Sequence, residues 1–143
     1  GRFDYFISPK QNIVAIVDYA HTPDALKKML TTIKSIRTGN EQVITVVGCG
    51  GNRDKEKRPV MARVACEFSN QVVLTSDNPR DESPEQIIAD MQAGITPDLA
   101  RKSLTILNRK EAVKIFHNMN CKEPKTATIP INRITCNLYE SKN

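Results

Sequence analysis

Residues 72–84 read VVLTSDNPRDESP, and the rest of the chain can be understood outward from this stretch. The apolar, β-branched start at 72–74 is typical of a strand buried on both faces. Ser83 followed by Pro84 is a common start of a helix, and the apolar spacing over 85–91 continues it. A loop between a strand end and a helix start is where open α/β sheets bind ligands. The stretch therefore predicts a βα unit with a binding loop.

The polar side chains of this loop suit a small zwitterionic ligand. The guanidinium of Arg80 can hold a carboxylate through two parallel hydrogen bonds, while Asp77 and Asn78 can face an ammonium group. Pro79 restricts its own φ and disfavours a helical conformation at Asn78, so it gives Arg80 a defined direction. The alternative interpretation is an ordinary turn that is capped by Ser83.

Strand and helix patterns alternate four times along the chain, which predicts an α/β fold with a mostly parallel sheet and helices on both faces. The further predicted strands lie at 13–17, 42–47 and 104–107, and the helices that follow them lie at 24–33, 58–68 and 108–115.

Two of the other strand ends also carry candidate ligand-binding groups. Asp18 and His21 follow the first strand, where a carboxylate can accept from ribose hydroxyls and an imidazole can pack on a purine. The alternative is that Asp18 only ends a strand and His21 only caps a turn. Residues 48–51 (GCGG) follow the next strand and let the backbone approach a ligand, with Arg53 at their end. The alternative there is a glycine-rich connector before a solvated basic run at 55–58.

Composition limits the class of protein. The 143 residues fit one domain, and the absence of an initial methionine leads us to expect a piece of a longer protein. The net charge of +5 favours anionic ligands, but three tyrosines, four phenylalanines and no tryptophan make a poor platform for nucleic acid. We expect no membrane partner, since no apolar run approaches about 18 residues. Four cysteines without a Cys-x-x-Cys pair indicate a reduced, cytoplasmic protein.

Three motifs together resemble the C-terminal domain of Mur ligases: DYAHTPD at 18–24, GCGGNRDK at 48–55 and DNPR at 77–80. The resemblance is greatest to the branch that adds meso-diaminopimelate to UDP-MurNAc-L-Ala-D-Glu. It implies a Rossmann-like fold and ATP-dependent amide-bond formation in peptidoglycan synthesis. It places no catalytic residue in this chain, whose role would be to position reactants.

The resemblance also implies the roles of individual residues. A meso-diaminopimelate site would comprise Arg53, Asp77, Asn78, Pro79 and Arg80, and an ATP site would comprise Arg2, Asp18 and His21. The guanidinium of Arg80 would select the distal carboxylate that lysine lacks. The phosphate loop, the Mg²⁺ ligands and the pocket for the UDP-MurNAc-dipeptide would lie in domains outside this chain.

The resemblance ends near residue 115, so we expect a Mur ligase C-terminal domain at 1–115 and a divergent segment at 116–143. The family carries a Gly-Lys-Gly-His-Glu motif in that region, and residues 116–143 contain no glycine. The last strand is therefore expected to be missing or altered, through a frameshift, an artificial end or real divergence. His117 and Cys121 have a spacing that suits a metal, but two ligands do not make a zinc site.

Two other functions remain open from the sequence. One is a non-catalytic nucleotide- or anion-binding module of the same fold, derived from such a ligase. The other is a basic nucleic-acid-binding domain, which predicts a steep dependence of binding on salt.

Overall fold

The structure, a computed structural model, describes residues 4–8, 13–37, 41–121 and 133–138. The strands are β1 (Asp4–Ser8), β2 (Ile13–Asp18), β3 (Gln42–Val47), β4 (Gln71–Leu74), β5 (Ser103–Thr105) and β6 (Arg133–Leu138). The helices are α1 (Pro23–Ile36), α2 (Lys57–Phe68), α3 (Pro84–Gln92), α4 (Pro97–Ala100) and α5 (Arg109–Cys121).

The six strands form one sheet in the order β1-β2-β6-β3-β4-β5. β1 is antiparallel to β2, and every other neighbouring pair is parallel. The predicted mostly parallel α/β sheet is therefore confirmed.

The possibility that the last strand is missing is corrected by β6. It pairs with β2 on one side and with β3 on the other, so it lies inside the sheet and not at an edge. The domain boundary expected at residue 115 falls within α5, which runs to Cys121. The segment that the sequence analysis left unassigned thus contributes a strand that lies between β2 and β3 and hydrogen-bonds to both.

Helices cover both faces of the sheet. A large apolar cluster includes Val43 and Val47 of β3 with residues of α1, α2 and α3. Val46, which points the opposite way along the same strand, packs with Val73 and with Ala112 of α5 in a second cluster. The apolar run of β3 is buried because both of its faces are covered, as expected for a parallel strand.

The helices that follow β2 and β4 begin at well-defined caps. The side chain of Thr22 accepts from the backbone N–H of Ala25, and that of Ser83 accepts from Gln86, with a proline in each first turn. The capped start predicted at Ser83 is confirmed. Within the part of the chain that the structure describes, no helix is both long and apolar enough to cross a membrane.

Candidate functional site

The three motif loops follow β2, β3 and β4 and lie at one edge of the sheet. Because these strands are connected through parallel pairings, their carboxyl ends point the same way. This edge is where open α/β sheets bind ligands.

The loops after β3 and β4 are bonded directly to each other. The Gly51 N–H donates to the carbonyl of Asn78 at 2.9 Å, and Arg80 Nη1 donates to the carbonyl of Gly51 at 2.7 Å. The approach is so close that a Cβ at position 51 would overlap the carbonyl oxygen of Pro79. Arg53 is exposed two residues further along the same loop. The structure therefore brings the segments carrying Arg53, Asn78, Pro79 and Arg80 together.

Two residues of this junction have left-handed backbones. Asn52 has a φ of 53° and Arg80 a φ of 51°, a conformation that costs a non-glycine residue about 1–2 kcal/mol. Local bonds support both conformations. The Asn78 side chain accepts from the Arg80 N–H at 3.2 Å, and Asn52 Nδ2 donates to Asp81 Oδ2 at 2.7 Å. Strain of this kind is concentrated at functional sites.

Asp77 lies at the same loop, but its carboxylate meets a protein cation. Asp77 Oδ1 accepts from Arg109 Nη1 at 2.8 Å, and only 6% of the Asp77 side chain is exposed. This ion pair joins the loop after β4 to the first residue of α5. Of the residues predicted for a zwitterionic ligand, Asp77 is thus the one whose charge is already paired within the chain.

A buried arginine beneath the loops was missed by the sequence analysis, which considered Arg58 only as the start of a helix and, in the alternative interpretation, as part of a solvated basic run at 55–58. The Arg58 side chain is fully buried. We call this arginine, together with Glu82, Asp90 and the Gly50 carbonyl, the Arg58 cluster. Nη1 and Nη2 donate to the two carboxylate oxygens of Glu82, each at 2.9 Å. Nη1 also donates to Asp90 at 2.8 Å, and Nη2 donates to the carbonyl of Gly50 at 3.3 Å.

The cluster shifts the acid–base properties of its members. The hydrogen bonds from Arg58 lower the pKa of Glu82 to about 2, and the bond to Glu82 raises the pKa of Arg58. The Asn52 N–H reinforces the effect on Glu82 by donating to it at 2.6 Å. Helical spacing could have revealed this arginine, since position 58 shares the buried face of α2 with Met61 and Ala65.

The loop after β2 carries the predicted ATP contacts. Asp18 is half-buried at the strand end, and His21 is exposed, with Nδ1 donating to the carbonyl of Tyr19 at 3.1 Å. Lys57 at the start of α2 donates to the carbonyl of His21 at 2.9 Å, which joins this loop to the segment after β3. Arg2 lies outside the described residues.

The described residues contain no group of three or more histidine, cysteine, aspartate or glutamate side chains that could hold a metal ion. The side chains of His117 and Cys121 lie outside that description. The donors at the loops after β3 and β4 include the exposed Arg53 and the Arg80 guanidinium, which suit a carboxylate-bearing ligand.

Comparison with known proteins identifies the family. A profile of the family described as "Mur ligase, glutamate ligase domain" matches residues 1–126. The UDP-N-acetylmuramoyl-L-alanyl-D-glutamate--2,6-diaminopimelate ligase of Cytophaga hutchinsonii is 56% identical over 115 residues, which cover 80% of this chain and 23% of that protein. The chain therefore belongs to the Mur ligase family and corresponds to its C-terminal, glutamate ligase domain.

Two solved structures contain a domain with the same fold as this chain. A UDP-N-acetylmuramoyl-L-alanyl-D-glutamate--2,6-diaminopimelate ligase superposes with a TM-score of 0.78 at 39% identity, over 96% of this chain and 26% of that chain. A folylpolyglutamate synthase of Mycobacterium tuberculosis, solved with ADP and AMPPCP, shares the fold at a TM-score of 0.66 and 16% identity, over 97% and 29% of the two chains. The chain thus spans about a quarter of the length of these proteins.

Proposed function

We propose that this chain is the amino-acid-binding part of an ATP-dependent ligase that adds meso-diaminopimelate to UDP-MurNAc-L-Ala-D-Glu. The observation that carries the proposal is the junction between the loops after β3 and β4. Arg80 donates to the Gly51 carbonyl at 2.7 Å, and this bond holds its guanidinium beside the loop that carries Arg53. Two guanidinium groups on adjoining loops suit an amino acid with two carboxylates.

Within this site the residues have distinct roles in our proposal. Arg80 holds the distal carboxylate of diaminopimelate, and Arg53 and the Asn78 side chain contact its amino-acid end. Pro79 shapes the turn, since its carbonyl lies against Gly51. Asp77 acts on the site through its ion pair with Arg109, and any contact that it makes with a substrate ammonium would use a carboxylate shared with that arginine.

The loop after β2 is proposed to form one wall of an ATP site. Asp18 at the strand end can accept from ribose hydroxyls, and the exposed ring of His21 can pack on the adenine. Arg2 is proposed to complete this wall. Mg²⁺, the phosphates and the UDP-MurNAc-dipeptide would be bound by other domains of the ligase.

No residue of this site is proposed as a nucleophile or general base. The chain would contribute by orienting the diaminopimelate amine toward an acyl phosphate, and orientation alone can supply roughly 7–11 kcal/mol in favourable cases. Cys49 and Cys66 are buried free thiols, which suits our proposal that the protein works in the cytoplasm.

The test is a titration of the purified chain with meso-diaminopimelate, L-lysine, ATP and duplex DNA at two salt concentrations. We expect diaminopimelate to bind more tightly than lysine, because lysine has no distal carboxylate for Arg80. Equal affinity for the two amino acids would contradict the assignment. A DNA affinity that falls steeply with salt would favour a nucleic-acid-binding domain instead.

We also expect the 143-residue chain alone to show no ligase activity and to bind ATP weakly, because the phosphate loop and metal ligands belong to other domains. The assay is acyl-phosphate formation from ATP and UDP-MurNAc-L-Ala-D-Glu. Measurable formation of the acyl phosphate by this chain would contradict the expectation.

A further inference from the structure

Beneath the proposed diaminopimelate site lies a buried charge that the substrate-binding roles do not explain. Arg58 is fully buried on α2, and the other buried residues of this helix, which include Met61 and Ala62, are apolar. Burying an ion is costly, and replacing buried ion pairs with apolar residues is often neutral or stabilising. The arginine is therefore poorly explained by stability alone.

The hydrogen-bond partners of Arg58 lie on both substrate-side loops and on α3. Glu82 belongs to the loop after β4, two residues beyond Arg80, and accepts two hydrogen bonds from Arg58. The Gly50 carbonyl belongs to the loop after β3 and accepts a third. Asp90 lies on α3 and accepts a fourth. One guanidinium thus connects both substrate-side loops to the helical layer.

Glu82 also bonds to the loop after β3 directly. Its Oε1 accepts from the Asn52 N–H at 2.6 Å, and Lys55 Nζ lies 3.4 Å from its Oε2. Asn52 is one of the two left-handed residues, and its neighbour Gly51 accepts from Arg80. Glu82, which belongs to the loop after β4, therefore supports the strained backbone of Asn52 in the loop after β3.

We propose that Glu82, held by Arg58, is a positioning residue that fixes the two loops against each other and so sets the separation of the Arg53 and Arg80 guanidinium groups. The inference deepens the proposed function and depends on it for its substrate. Arg58 acts one step further from the ligand, because it orients the Glu82 carboxylate and the Gly50 carbonyl. Asp90 holds the same guanidinium from the side of α3 and has no bond to either loop among those described.

The structure offers a matched pair of variants for the test, Glu82→Ala and Asp90→Ala. Each removes one carboxylate from Arg58 and leaves the other in place, so neither strands a buried charge without a partner. Only Glu82→Ala removes a bond to a substrate-side loop. A purely structural role predicts that both changes act alike, whereas a positioning role predicts that they differ.

Two measurements are made on the 143-residue chain at a temperature where each variant is folded by circular dichroism. The first is the Kd for meso-diaminopimelate. We expect it to rise about tenfold or more in Glu82→Ala, since losing one hydrogen bond between charged groups weakens binding by about that factor. In Asp90→Ala we expect a change within about twofold. Wild-type affinity in Glu82→Ala, or equal losses in both variants, would overturn the inference.

The second measurement is hydrogen exchange of the Gly51 and Asn52 amides, which needs no ligand. We expect both amides to lose protection in Glu82→Ala and to keep it in Asp90→Ala, with β4 protected throughout. Retained protection in Glu82→Ala overturns the inference even if diaminopimelate binds. Failure of the wild-type chain to bind diaminopimelate would instead contradict the proposed function.

Should Glu82→Ala not fold, Glu82→Gln replaces it in both measurements. Glutamine keeps the shape of the side chain but replaces one carboxylate oxygen with an NH2 group that donates, so it cannot reproduce the two parallel bonds that Nη1 and Nη2 of Arg58 make to separate oxygens. The Kd for meso-diaminopimelate and the protection of the Gly51 and Asn52 amides are then compared between Glu82→Gln and its matched control Asp90→Asn. The results that support or overturn the inference are the same as for the alanine variants.

Discussion

The loops after β3 and β4 differ from the loop after β2 in how they are held. The first two are bonded to each other through Gly51, Asn78 and Arg80, and Glu82 and Arg58 support them from beneath. The loop after β2 has an internal bond from His21 to Tyr19 and is joined to α2 through Lys57. Among the described contacts, the loops of the proposed amino-acid site are thus fixed to each other, whereas the loop of the proposed nucleotide wall is fixed to α2.

The largest expected effect comes from removing the guanidinium of Arg80 in an intact ligase of this family. Arg80→Ala leaves the distal carboxylate of diaminopimelate unpaired, which should cost about 2–4 kcal/mol in kcat/KM. Lysine should lose little, and Arg80→Lys should not restore activity fully, because an ammonium cannot form two parallel bonds. The assay compares kcat/KM for both amino acids. Equal losses for the two would mean that Arg80 is only structural.

The next largest effect is expected from adding a methyl group where the loops after β3 and β4 are in contact. Gly51→Ala places a methyl group on the Pro79 carbonyl, and such overpacking typically costs about 1–3 kcal/mol. We expect thermal unfolding to show this loss and diaminopimelate binding to weaken with it. Gly94→Ala is the control, since it produces a similar overlap with the Pro59 carbonyl and leaves the contact between Gly51 and Pro79 unchanged. The comparison fails if both variants bind diaminopimelate equally well.

Lowering the pH should reduce the unfolding free energy of the chain, because it protonates the Glu82 carboxylate that accepts hydrogen bonds from Arg58 and Asn52. Because the hydrogen bonds from Arg58 lower the pKa of Glu82 from 4.5 to about 2, the carboxylate stabilises the folded state fully above pH 4.5. That contribution is lost as the pH falls toward about 2. Unfolding free energies measured between these pH values should fall more steeply for the wild type than for Glu82→Gln. Parallel pH profiles would show that the pair does not stabilise the fold.

The smallest effect concerns the left-handed backbone of Arg80. Glycine adopts this conformation without strain, so Arg80→Gly should be about 1 kcal/mol more stable than Arg80→Ala. Both variants lack the guanidinium and should bind diaminopimelate equally poorly. Chemical denaturation of the two variants provides the measurement. If alanine is as stable as glycine at position 80, the backbone there is not strained.

The elements that were predicted correctly have strong local patterns. β2 and β3 are apolar runs inside the sheet, and the helical spacing of apolar residues in α1 and α2 places those residues on buried faces. β1 was not predicted, and the exposure of Tyr5 at 62% and Phe6 at 65% explains why it lacks an alternating pattern. α4 is a single turn after Thr96 and is also absent from the prediction.

The candidate site was predicted only in part. The motifs located the loops, and the resemblance supplied roles for Arg53 and Arg80, which remain predictions. The contacts that hold these loops join distant residues: Arg80 to Gly51 across 29 positions, and Asp77 to Arg109 across 32. No local pattern encodes such pairings, because they depend on how the strands are ordered in the sheet.

The sequence by itself determined the α/β class and the positions of the candidate loops, because hydrophobic periodicity and turn chemistry act between near neighbours, and its three motifs indicated the family. Tertiary structure alone decided that β6 lies between β2 and β3 and that Arg58 is buried on Glu82. The physical reason is that the environment of a charge is set by what packs around it. The same arginine would be solvated on an isolated helix and becomes the support of two loops once α2, α3 and the sheet enclose it.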